Sequence, residues 1–185
     1  MNKKLILTTA LAMLFYFLCV GLATVIDLVI FKVTNMAHTP ALAALFASWV
    51  YLDLIKKTKT FGPITALGGM MSLFFLASGH FIGAALPNIL CALAADGIAK
   101  SGQYSSNKRN LISYALFSLG NLAPILTMWL APKAYIAQLL AEGKTQTYID
   151  SVMIPASLSE ISMHLLGIIL CALLSGYLYQ RLTQK

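Results

Sequence analysis

The chain has 185 residues, of which 59% are hydrophobic and only 10% charged, with a mean hydropathy of +0.80. A soluble domain carries about 25% charged residues, so an ordinary water-soluble domain is excluded. A disordered chain, a nucleic-acid binder and a disulfide-stapled secreted fold are excluded with it. One membrane domain over residues 1–185 fits, with room for six crossings at about 20 apolar residues each.

In chain order, Met1-Asn2-Lys3-Lys4 opens like a signal peptide. The apolar run over 5–31, interrupted only by Asp27 near its end, is too long for an h-region and reads as a first transmembrane helix. Further apolar stretches follow at 40–55, 61–79, 81–99, 111–131 and 155–182. Ser78-Gly79-His80 separates the third stretch from the fourth as a tight hairpin. The expected fold class is an all-α integral membrane protein, a six-transmembrane-helix bundle.

Six crossings put both termini on one side. That side receives Lys3, Lys4, Lys56, Lys57, Lys59, Lys100, Lys108, Arg109, Arg181 and Lys185, against Lys32, Lys133 and Lys144 opposite. The positive-inside rule makes both termini cytoplasmic. The net charge of +7 is then a topology signal rather than the mark of an acidic partner. Cys19, Cys91 and Cys171 lie singly in apolar runs without CxxC spacing, which suggests neither a zinc site nor a disulfide framework.

The long outer connection, 132–154, is amphipathic. Tyr135, Ile136, Leu139 and Leu140 recur at helical spacing, Gly143 ends the pattern, and Tyr148, Ile149 and Val152 make a second turn. Such a face either lies on the membrane surface or closes over a cavity as a lid.

No HExxH, GxSxG or DDxxD pattern occurs. Gly143-Lys144-Thr145 imitates the end of a P-loop, but Gln138 stands where the first glycine is required. Neither catalysis nor an intrinsic cofactor is expected. Asp53 and Asp96 have Lys57 and Lys100 four residues on, the spacing of helix-surface ion pairs, while Glu142 and Asp150 are expected to be solvated.

Glu160 falls inside the last apolar stretch, with His164 four residues on and roughly 14 Å from Pro155 along a helix. They form either a self-satisfied structural pair or the polar floor of an outward-facing cavity. All three histidines, His38, His80 and His164, fall in the outward half, with Met36, Met128, Met153 and Met163 at similar depth. Imidazole and thioether ligate soft metals and haem iron, although a hydrogen-bonded histidine is also common in a helix bundle. HxxH and MxxM are absent, so no free-ion site is read. Thr8 with Ala12, and Ala43 with Ala47, form small-residue helix faces that pack internally or dock a second membrane protein.

Several segments carry a resemblance to a known family: Lys59-Thr60-Phe61-Gly62, Ser78-Gly79-His80, Ala95-Asp96 and Lys100-Ser101-Gly102-Gln103-Tyr104. It continues through 108–114 and Ala134-Tyr135 to Gly143, Tyr148 and Asp150, covering roughly 55–155. These resemble the Trep_Strep group, substrate-binding S components of energy-coupling factor (ECF) transporters. The first helix is similar to a degenerate form of the family's docking motif, with Thr8 in place of an alanine.

The resemblance implies a six-helix bundle in the bacterial plasma membrane that takes its substrate from outside beneath closing loops. It also implies association with a membrane T component and two cytoplasmic ATPase subunits, Thr8, Ala12, Ala43 and Ala47 serving the docking. S components take vitamins, their precursors or metal ions, and some similar to this chain are linked to haem or iron acquisition. A haem-like tetrapyrrole is therefore the expected substrate. His38, His80, Glu160, His164, Trp129, Tyr135, Tyr148 and Met163 are the expected site, with His80 and His164 as haem ligands. A vitamin or other flat organic nutrient stacked on Tyr135, Tyr148 or Trp129 is the alternative, and a non-transport membrane assembly protein is a third reading.

Overall fold

The computed structural model describes residues 3–33, 35–80 and 82–183. Met1, Asn2, Phe81 and Lys185, which figure in the sequence reading, lie outside the described residues. The first apolar run is one helix, α1 (Lys3–Val29), whose buried residues Ala12, Tyr16, Ala23 and Asp27 form a single narrow stripe. Its other faces expose Leu11, Leu14, Leu18, Leu22 and Val25. Small and polar residues inward with large apolar ones outward is the arrangement of a helix bathed in lipid.

The second stretch is broken into α2 (Thr39–Phe46) and α3 (Ser48–Thr58). The carbonyl of Ala44, in the last turn of α2, accepts hydrogen bonds from the Tyr114 hydroxyl at 2.6 Å and the Ser175 hydroxyl at 3.0 Å. Side chains inserted into a helix ladder bend it. The third stretch is α4 (Pro63–Ala77), started by Pro63, and the fourth is α5 (Ala85–Ser101) after a 3-10 turn at Ile82–Ala84. The turn between them falls where expected, with Gly79 at φ 80.

The fifth stretch kinks. It runs as α6 (Asn107–Leu119), a 3-10 turn at Gly120–Leu122, then α7 (Ala123–Leu130) with Pro124 in its first turn. The outer segment folds as α8 (Pro132–Ala141) and α9 (Gln146–Val152), and the chain closes with α10 (Leu158–Leu182). The described residues form helices joined by turns and irregular segments, without a strand. Three helical runs are long and apolar enough to cross a membrane: Lys3–Val29, Asn107–Leu130 and Leu158–Leu182; Pro63–Ala77 is a shorter apolar helix.

Tyr16, Tyr51, Tyr114 and Phe117 stack at the centre, with ring centroids 4.8–5.4 Å apart. Their hydroxyls are all spoken for: Tyr16 bonds Asn121, Tyr51 bonds Ser113 at 2.7 Å, and Tyr114 reaches Ala44. Inside lipid no water substitutes for a missing partner, so each polar atom needs one within the protein. α4 and α5 approach so closely that a Cβ on Gly68 would lie 2.3 Å from the Ala92 Cβ and 2.8 Å from the Asn88 carbonyl oxygen. Glycine is required there by space.

The expected Asp96–Lys100 ion pair is corrected. Asp96 is fully buried and turns to the start of α4. Its Oδ2 accepts from Gly62 N at 2.8 Å, Thr65 N at 3.2 Å and the Thr65 hydroxyl at 3.0 Å, and its Oδ1 from the Tyr104 hydroxyl at 3.0 Å. A carboxylate at a helix N-terminus satisfies orphan N–H groups and meets the positive end of the dipole, which a lysine on the next turn of α5 cannot match. Lys100 instead lies over the Phe61 ring, 5.5 Å from its centroid. Asp53 does pair with Lys57, at 2.7 Å.

Candidate functional site

The end of the bundle opposite the lysine cluster carries the three histidines, and α8 and α9 lie across it. The two short helices share a small core of Leu139, Ile149 and Val152, and Tyr135 and Met153 pack against both this core and the main one. The Gln138 side chain donates to the Gly79 carbonyl in the α4–α5 turn and to Glu142 Oε1, the latter at 2.8 Å. Of the two arrangements open to an amphipathic outer segment, this one folds back onto the bundle. Gly143, at φ 78, makes the turn between the two helices, and the Thr145 hydroxyl caps α9. The residues that imitate a P-loop therefore build a turn.

α10 begins three residues later than the apolar stretch. Ser157 is its N-cap, accepting from Glu160 N at 3.2 Å. Glu160 is thus in the first turn and one-third exposed, not in mid-helix. A carboxylate there is favoured by the helix dipole, so the membrane-interior cost expected from the sequence does not arise. His164 is different, with its side chain only 3% exposed. Its Nδ1 lies 2.8 Å from the Glu160 backbone carbonyl and 3.7 Å from the Glu160 carboxylate. A carbonyl oxygen only accepts, so Nδ1 carries the proton. With Nδ1 as the donor, Nε2 is the nitrogen left to accept.

That acceptor is buried and has no hydrogen-bond partner among the described residues; the same holds for Trp129 Nε1. The two rings are edge-to-face, with centroids 5.6 Å apart and planes at 86°. One unmet donor and one unmet acceptor in neighbouring buried rings is costly for a structural core and suited to a ligand. Trp129 and Tyr135 are both half-buried, and Met128 is buried.

The other predicted site residues stand elsewhere. Met163 is 53% exposed on the far side of α10, and Tyr148 is exposed on the lid with the Lys144 ammonium 5.2 Å above its ring. His38 is held by the fully buried Asp27: its Nδ1 and backbone N lie 2.9 Å from that carboxylate, which also accepts from Thr39 N and the Thr39 hydroxyl. Asp27 thereby caps α2 from the end of α1, as Asp96 caps α4 from α5. His80 bonds Ser78 at 2.9 Å and packs against the Phe75 ring. Burial holds its pKa below the ordinary imidazole value, opposed in part by the Glu142 carboxylate. The three imidazoles, read from sequence as one outward group, have separate neighbours because each belongs to a different helix end.

Of the small-residue faces, Ala43 and Ala47 are fully buried inside the bundle and serve its own packing. Thr8 and Ala12 instead line an open groove of about 500 Å³ between α1 and α3, together with Leu11, Phe15, Trp49 and Val50. Sequence reading missed Gln138 as the lid contact; its spacing to Glu142 was the available signal.

Residues 3–185 match the family described as hypothetical bacterial integral membrane proteins, Trep_Strep. The chain belongs to the Trep_Strep family. No curated protein and no solved structure matches it. In this Trep_Strep protein, the segments bearing the family resemblance lie at two joints. Residues 59–62, Asp96 and Tyr104 meet at the start of α4, and 78–80 meet the lid through Gln138.

Proposed function

We propose that this Trep_Strep protein is the substrate-binding S component of an ECF-type importer, capturing a scarce nutrient from outside the bacterial plasma membrane. The observation that carries the reading is the unmet pair, His164 Nε2 and Trp129 Nε1, two buried atoms on neighbouring edge-to-face rings. The bundle crosses the bilayer six times, with α2–α3, α4 and α5 added to the three longer runs and both termini cytoplasmic. The ten-to-three division of basic residues supports that orientation. The chain is a binding subunit rather than an enzyme. Its partners are a membrane T component and two cytoplasmic ATPases, the T component seated in the α1–α3 groove at Thr8 and Ala12.

The substrate is a haem-like tetrapyrrole. An imidazole whose Nδ1–H is fixed by a carbonyl and whose Nε2 is unshared has the set-up of an iron ligand. His164 is that ligand, and Trp129, Met128 and Tyr135 supply the apolar surround. His80 serves the lid joint.

Titration of the purified protein with haem should shift the Soret band, His164→Ala should abolish the shift, and Tyr148→Ala should leave it. An unchanged spectrum at micromolar haem removes the tetrapyrrole. Affinity purification that brings neither a T component nor ATPases removes the importer and favours an assembly protein.

A further inference from the structure

At the lysine-rich end, away from the lid, a cavity of about 190 Å³ lies between the ends of α3 and α10 and the start of α6. Lys56 and Lys59 line it and are exposed, whereas Asn110 and Gln180, 5% and 7% exposed, lie in its depth. Neither lysine forms an ion pair within 4 Å among the described residues. Lys56 bonds the Thr183 hydroxyl at 2.6 Å, and Asp53, whose charge it also feels, is already paired with Lys57. Two positive charges at a mouth call for an anion, and the start of α6, with Ser105 and Asn107 on the wall, adds the positive end of a helix dipole.

Asn110 specifies the rest. Its Nδ2 donates to the Tyr104 carbonyl at 3.1 Å, while its Oδ1 is buried without a partner. Turning the amide over would set oxygen against the Tyr104 carbonyl, so the unmet atom is an acceptor. The neighbouring Gln180 amide nitrogen donates to the Asn107 carbonyl at 2.9 Å and makes no bond to Asn110 Oδ1. The missing partner is a hydrogen-bond donor. A fully ionised phosphate monoester without hydroxyls lacks one, and a choline headgroup brings a cation toward the lysines and no donor.

We propose that this cavity binds a phosphate ester carrying free hydroxyls, of the phosphoglycerol class, with the phosphate at Lys56 and Lys59 and a hydroxyl donating to Asn110 Oδ1. Two sources share that chemistry: the headgroup of an anionic bilayer lipid and a soluble ester. The site is independent of the lid and of the importer reading.

The test is native mass spectrometry of the delipidated full chain titrated with phosphatidylglycerol, phosphatidic acid and phosphatidylcholine, with glycerol 1-phosphate as competitor. Phosphatidylglycerol should be retained most strongly. Lys59→Gln should weaken it about tenfold, the effect of one charge-assisted hydrogen bond. Asn110→Leu should erase the preference for phosphatidylglycerol over phosphatidic acid. Displacement by glycerol 1-phosphate identifies a soluble ester; resistance to it identifies the lipid. Equal retention of phosphatidylglycerol and phosphatidylcholine, or undiminished binding in Lys59→Gln, overturns the proposal. Lys59 is exposed, so this variant keeps the test decisive even if Asn110→Leu does not fold.

Discussion

Replacing Asp96 with alanine tests whether the family-bearing segments are a structural joint. The substitution removes the acceptor for Gly62 N, Thr65 N, the Thr65 hydroxyl and the Tyr104 hydroxyl together. Loss of a helix N-cap costs about 0.5–2 kcal/mol, and stranding a buried hydroxyl such as that of Tyr104 costs about 1–3 kcal/mol. The sum, about 1.5–5 kcal/mol, corresponds to a fall of roughly 3–20 °C in Tm for a chain of this size. Asp96→Asn keeps an oxygen for α4 and offers an amide N–H that the Tyr104 hydroxyl accepts, so its loss should be less than half as large. The assay is thermal unfolding in detergent, read by a thiol-reactive fluorophore. Cys19, Cys91 and Cys171 are free and only partly exposed, so their labelling follows unfolding. If Asp96→Ala melts within about 2 °C of the parent, or if Lys100→Ala costs as much, the capping argument fails and the surface ion pair returns.

Gly68→Ala should destabilise by about 1–3 kcal/mol through overpacking against Ala92 and Asn88. Gly21→Ala, whose Cβ meets nothing within 4 Å, should be neutral or stabilising in the same melt. On the importer reading, Thr8→Leu fills the α1–α3 groove and should abolish co-purification of a T component at unchanged Tm, whereas Ala12→Leu and Ala43→Leu, both buried, should lower Tm. Because burial depresses the His80 pKa, the open form of the lid joint takes up a proton first. Closure is therefore at full strength above the ordinary imidazole value, about 6.5, and weakens as pH falls below it. Hydrogen exchange of 78–80 and α8, corrected for its intrinsic pH dependence, should rise over that interval and become flat in His80→Gln; a rise retained in the variant assigns the effect to another group.

The membrane class, the helical stretches and the turn at Ser78-Gly79-His80 were legible in the sequence. So was the amphipathic pattern of 132–154, because hydropathy and turn chemistry accumulate along contiguous residues. Which partner each scarce polar residue takes was not legible. The spacing of Asp96 to Lys100 suggested an ion pair, but its partners Gly62 and Thr65 lie more than thirty positions away on another helix. Glu160 reads from sequence as a charge inside the last apolar stretch because hydropathy does not register that Ser157 starts the helix. Met163 and His164 are adjacent in sequence, yet one faces outward and the other the core. Nor could small-residue spacing separate Thr8, part-exposed in a groove that Ala12 floors, from Ala43 and Ala47, sealed inside. In water the buried face of a helix is marked by its apolarity; in lipid both faces are apolar, and only helix packing decides which one meets protein. Apolar content therefore determined that this chain lies in a membrane, whereas the tertiary structure alone set Trp129 beside His164 and left both with an unmet hydrogen bond.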